Sequence, residues 1–108
     1  MAVESFEQLE VWQKAHALTL LVYKESRNLP EEEDYGLFLQ MRQAATRVPS
    51  NIATGFGRRL MASKLHYYGD ALTALQELRY FFMLCRELGY ELNHDELQYQ
   101  GEQLDRMV

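Results

Sequence analysis

The sequence has one cysteine, two prolines and six glycines among its 108 residues. Cys85 alone cannot close an intramolecular disulfide, and no Cys-x-x-Cys pair is present. With so few prolines and glycines there is no linker-like or low-complexity segment, so residues 1–108 read as a single domain. No apolar run nears the roughly 18 residues of a membrane span. The opening MAVESFEQLE has neither the basic region nor the apolar core of a secretion signal. These absences predict a soluble, cytoplasmic chain with no membrane partner. Motifs that carry phosphate, dinucleotide or zinc chemistry, such as a Walker loop or His-Glu-x-x-His, are missing too. The most telling absence is of acid: residues 35–69 hold five bases and no Asp or Glu, whereas residues 1–34 and 70–108 each hold eight acids and three bases. The three segments therefore carry −5, +5 and −5. A whole-chain net charge of −5 conceals a basic middle.

What is present is helical periodicity. Ser5 with Gln8 forms a capping-box pattern, which predicts a helix starting between residues 5 and 9 and running to about 28, before Leu29-Pro30. Val11, Ala15, Leu18 and Val22 make its apolar stripe, and Trp12, Thr19 and Tyr23 an adjoining one. The acids at 31–34 read as a solvated connection leading into the next helix, where they suit the helix dipole. A second helix beginning near Tyr35 places Leu37, Met41, Ala44 or Ala45, Val48, Ile52 and Phe56 on one face. Pro49 lies inside that stripe and leaves the Ala45 carbonyl without its helical donor, so a kink is expected within one continuous helix. Gly55 and Gly57 are expected to stop it through the left-handed conformation. Ser63 is the candidate cap of a long third helix ending before Gly89. Its seam runs through Tyr67, Ala71, Ala74, Leu78, Phe81, Cys85 and Leu88, with a second seam through Leu65, Tyr68, Leu72, Leu75 and Phe82. Asn93 is the candidate cap of a short fourth helix with Leu97, Gly101, Leu104 and Val108 inward. The fold class this predicts is all-α, an antiparallel up-down four-helix bundle.

No catalytic, cofactor or metal site is assigned. Glu91-x-x-His94 has the spacing of di-metal bundles, but it falls in a connection and has no second copy. Cys85 at a seam position reads as a small core hydrophobe. Ser50 and Asn51 read as partners for backbone carbonyls near Pro49. The basic set Arg42, Arg47, Arg58, Arg59 and Lys64 is the one candidate binding surface, for nucleic acid. The competing explanation is that arginines near a helix end cap carbonyls and answer the dipole.

Several stretches resemble a known family: Leu9-Glu10-Val11-Trp12-Gln13-Lys14-Ala15, Tyr35-Gly36-Leu37, Gln40-Met41-Arg42-Gln43-Ala44-Ala45, Val48-Pro49-Ser50-Asn51-Ile52-Ala53, Gly55-Phe56-Gly57-Arg58 and Leu88-Gly89-Tyr90. They are similar to the bacterial four-helix-bundle proteins encoded in intervening sequences of 23S ribosomal RNA genes. The resemblance implies an up-down bundle without enzymatic activity that assembles as a homopentamer. Through distant likeness to accessory proteins of diversity-generating retroelements, it also implies RNA, DNA or a nucleic-acid enzyme such as a reverse transcriptase as partner, and no small-molecule substrate. The chain departs from the pattern at Gln43, where arginine often repeats, at Thr54, where an acid is usual, and at Met61 to Leu65, where the third helix commonly starts more acidic. The alternative expectation is a structural or protein-interaction module that binds no nucleic acid.

Overall fold

The apolar periods fold as the four helices they predict. In the computed structural model, which describes residues 3–108, these are α1 (Glu10–Ser26), α2 (Leu37–Phe56), α3 (Met61–Glu87) and α4 (His94–Asp105), with no strand among the described residues. Ser5 and Gln8 do form a capping box, but it closes a 3-10 turn at Phe6–Gln8. Leu9 is extended after it, and α1 begins only at Glu10. Asn93 caps α4 by accepting the Glu96 N–H. Gly89, at φ 79°, ends α3: its N–H reaches the Arg86 carbonyl and the Tyr90 N–H the Cys85 carbonyl, the paired bonds of a Schellman turn.

Two expected signals act differently. Ser63 is not a cap; α3 starts at Met61 behind an extended Leu60, with no side chain on its first donors. Gly57 sits at φ −76°, so α2 does not stop through a left-handed glycine. Its last carbonyls are instead taken by a side chain from α3: the Lys64 ammonium donates to Gly55 at 3.3 Å and to Phe56 at 2.8 Å. Gly55 serves packing. A Cβ there would lie 2.6 Å from the Tyr68 ring and 3.2 Å from the Tyr67 Cβ, so its hydrogen lets α2 and α3 approach closely.

Contacts fix the directions. Met41 meets Cys85 while Gly55 meets Tyr68, so α2 and α3 run antiparallel. Thr19 meets Ala45 and Ser26 meets Arg42, which sets α1 against α2 in the same way. Arg86 pairs with Asp95 and Arg79 with Asp105, so α4 descends along α3. The core fills with Leu18, Met41, Leu75, Leu78, Leu97 and Leu104, all essentially inaccessible. Because Asp105 already stands level with Arg79, α4 leaves the first half of α3 uncovered, and Met61, Leu65, His66 and Asp70 are exposed. The molecule measures 45 × 23 × 19 Å, with the α2–α3 turn at one end.

Helix α2 runs unbroken through the buried Pro49. The Ala45 carbonyl that proline deprives of a donor receives the Thr19 hydroxyl of α1 at 2.9 Å, a proton shared with the Ala15 carbonyl at 3.0 Å. Asn51 and Ser50 reach the Arg47 carbonyl within their own helix. Thr19 is buried, so the orphan acceptor is satisfied away from water, where leaving it bare would cost about 1–3 kcal/mol.

One of the four acids between α1 and α2 is structural. Glu33 accepts the Leu37 N–H with one oxygen and the Tyr90 hydroxyl, at 2.6 Å, with the other. That hydrogen bond, with burial and the charges of Glu33 and Glu32 behind it, pushes the Tyr90 phenol up from 10.0 to about 12. Burial first, then the Glu33 charge, pushes the Cys85 thiol up from 9.0 to about 11. Both shifts favour the neutral form in the native state. Their contribution is therefore complete below the unfolded values and is lost as pH rises through the folded ones. Urea denaturation at stepped pH is expected to show stability falling between about pH 9 and 12. Tyr90→Phe should flatten the upper part of that fall; an unchanged profile would refute the assignment.

Candidate nucleic-acid interface

The five bases of the acid-free segment do not share one surface. Arg42 lies across the end of α1: its Nε donates to the Ser26 hydroxyl at 3.0 Å and an Nη to the Tyr23 carbonyl at 3.1 Å. The guanidinium also sits over the rings of Tyr23, at 4.3 Å, and Phe38, at 4.0 Å. It is a C-terminal cap supplied by a neighbouring helix, in the field where a cation is favoured. Arg47 pairs with Glu77 on α3 at 3.1 Å, both side chains nearly half exposed, a contact worth at most about 1 kcal/mol. Lys64 holds the last carbonyls of α2.

Arg58 and Arg59 are left at the α2–α3 turn. Arg58 donates to the Tyr67 hydroxyl at 3.1 Å and stacks over that ring at 4.8 Å, so it is positioned without being neutralised. Arg59 is exposed and makes no side-chain hydrogen bond or ion pair among the described residues. The nearest acid along α3 is Asp70, which faces His66 at 3.4 Å. The same end carries Leu60, Met61 and Leu65, exposed by 74%, 66% and 62%. Leu65, on the second apolar seam of α3, stays uncovered because α4 is too short to reach it.

Grooves flank the bundle between its helices. The one between α1 and α2 is lined by Phe6, Trp12, His16, Leu20, Tyr23 and Pro49 among others, with no charged side chain in its lining. Trp12 stacks on His16 at 5.0 Å and Phe6 meets Trp12 edge-on at 4.9 Å, which fixes the floor. The opposite groove, between α3 and α4, holds Tyr80, Met83 and His94 between the charged pairs of Arg79 and Arg86. His94 bonds the Tyr90 carbonyl through Nε2, at 2.7 Å. Among the described residues no group of three or more His, Cys, Asp or Glu side chains stands close enough to hold a metal ion. Cys85 is fully buried, with its sulfur 3.7 Å from that of Met41. No described helix is long and apolar enough to cross a membrane.

Sequence reasoning missed the α1–α2 groove, although Trp12, Tyr23 and Pro49 had each been placed on a helix face. It also missed Glu25, a buried acid that accepts the Asn93 N–H at 2.6 Å and ties α1 to the start of α4. An acid one residue before a helix end carries no local sign of such a partner. The model of the family described as 23S rRNA-intervening sequence protein matches residues 7–108. No curated protein matches the sequence.

Proposed function

The chain belongs to the 23S rRNA-intervening sequence protein family, and on that premise we propose that it is a non-enzymatic, self-associating cytoplasmic bundle that binds RNA or DNA through its α2–α3 end. The observation that supports this reading is the pair Arg58 and Arg59, set at one extremity of an elongated acidic molecule with no acid of their own segment to neutralise them. Phosphates attract such a pair, and several copies presenting it together multiply the charge. A nucleic-acid enzyme such as a reverse transcriptase is the class of partner this accessory role fits. The uncharged, aromatic α1–α2 groove supports self-association, since interface centres are poor in charge and rich in aromatic side chains. A homopentamer is the assembly the family resemblance suggests. Arg42, Arg47 and Lys64 serve the bundle itself in this reading.

A fluorescence-anisotropy titration of a labelled RNA at about 50 and 200 mM salt tests it. The native protein should lose affinity steeply with salt. The Arg58→Ala/Arg59→Ala variant should bind about tenfold more weakly at the lower salt, with a shallower salt dependence. Negligible binding at both salts, or a double variant that binds normally, would sink the proposal. The second reading, a protein-interaction module, is favoured by the internal engagement of three of the five bases. It predicts that the double variant alters the mass measured by light scattering instead of RNA affinity.

A further inference from the structure

We infer that the α2–α3 end selects single-stranded nucleic acid over duplex, because Leu60, Met61 and Leu65 stand exposed beside Arg58 and Arg59. This rests on the proposed nucleic-acid role and adds the class of ligand. Leu60, Met61 and Leu65 are among the most exposed large apolar side chains of the molecule. Met61 and Leu65 are four residues apart on the first turns of α3 and so share a face, with Leu60 immediately before them. The two arginines precede them directly in the chain. Arg58 is held over the Tyr67 ring, and His66 meets that ring edge-on at 5.3 Å, so aromatic surface borders the same patch.

The chemistry of the patch is a cation pair joined to apolar surface, and a ligand complementary to both must carry anions spaced along an apolar body. A single strand does so, with phosphates on one side and unstacked base faces on the other. A duplex hides its base faces in the stack and offers this end mainly its phosphates, which would use the arginines and leave the leucines and methionine in water. Burying base faces against these side chains therefore adds affinity that a duplex cannot match.

The test compares the native protein with Leu60→Ser/Met61→Ser/Leu65→Ser and with Arg58→Ala/Arg59→Ala, using a labelled single strand and a duplex of roughly 12 nucleotides per strand. The substituted positions are exposed, and circular dichroism checks that each variant is folded. The single strand should bind about tenfold more tightly than the duplex. The apolar triple variant should lose that advantage while keeping its duplex affinity and its salt dependence; the arginine variant should weaken both ligands. Duplex binding equal to or tighter than single-strand binding would overturn the inference and leave the proposed function standing. So would a triple variant that binds the single strand normally, or one whose only change is a lower mass by light scattering, which would make the patch a subunit contact. Failure of both ligands to bind at low salt would remove the inference and the proposed function together.

Discussion

Gly55→Val is expected to lower stability by about 3 kcal/mol in urea denaturation, near the upper end for overpacking a close contact. The two atoms its new side chain meets differ in what they can do. The Tyr68 ring, 2.6 Å from an added Cβ, can swing outward because its side chain is only partly buried. The Tyr67 Cβ, 3.2 Å away, is fixed to the α3 backbone and moves only with the helix. Alanine should therefore cost less than valine, whose γ carbons drive directly into α3. Gly57→Ala is the control: its φ of −76° suits any residue and its nearest neighbour is a carbonyl oxygen at 3.6 Å. That variant should stay within about 0.5 kcal/mol of the native protein. The reverse order of the two glycines would mean that α2 is ended by Gly57 after all.

Thr19→Val should cost about 2 kcal/mol, because the Ala45 carbonyl would remain buried with no donor. The size of a valine matches that of threonine, so the loss reports the hydroxyl and not a cavity. Pro49→Ala provides the cross-check, since alanine restores the N–H that the Ala45 carbonyl lacks. In the Thr19→Val background this second change should recover more than about 1 kcal/mol relative to its effect alone, a coupling of the kind that contacting groups show. Additive effects in that cycle, read from denaturation midpoints, would show that the hydroxyl does not act through Ala45.

The two predictions concern features the sequence displayed without connecting. Pro49 and the orphaned Ala45 carbonyl follow from the helical bond pattern alone, and Thr19 falls on an apolar stripe by its spacing. That the one answers the other depends on how α1 and α2 lie together, and no local pattern encodes it. Gly55 is similar: a glycine near a helix end fits either a left-handed stop or a close approach, and only the ring of Tyr68 decides between them.

The candidate site was less legible than the fold for the same reason. Counting charge along the chain marked residues 35–69, but a basic residue is consumed or free according to what a neighbouring helix places beside it. Arg42 is taken by α1, Arg47 by Glu77 of α3, and Lys64 by the end of α2, which leaves Arg58 and Arg59. The shortness of α4, visible in the sequence, becomes informative only when its end is seen level with Arg79, exposing Leu65 and Met61 beyond it.

The sequence by itself determined the number of helices, their approximate spans, the Asn93 and Gly89 boundaries and most of the residues that face inward, Leu65 and Leu88 of the α3 seams being exposed. These depend on hydrogen bonds and periods within about one turn of chain. The tertiary structure decided which base caps a carbonyl, which glycine admits a ring, how Pro49 is tolerated and which apolar residues stay uncovered. Each of those depends on the partner that another helix brings to the same place.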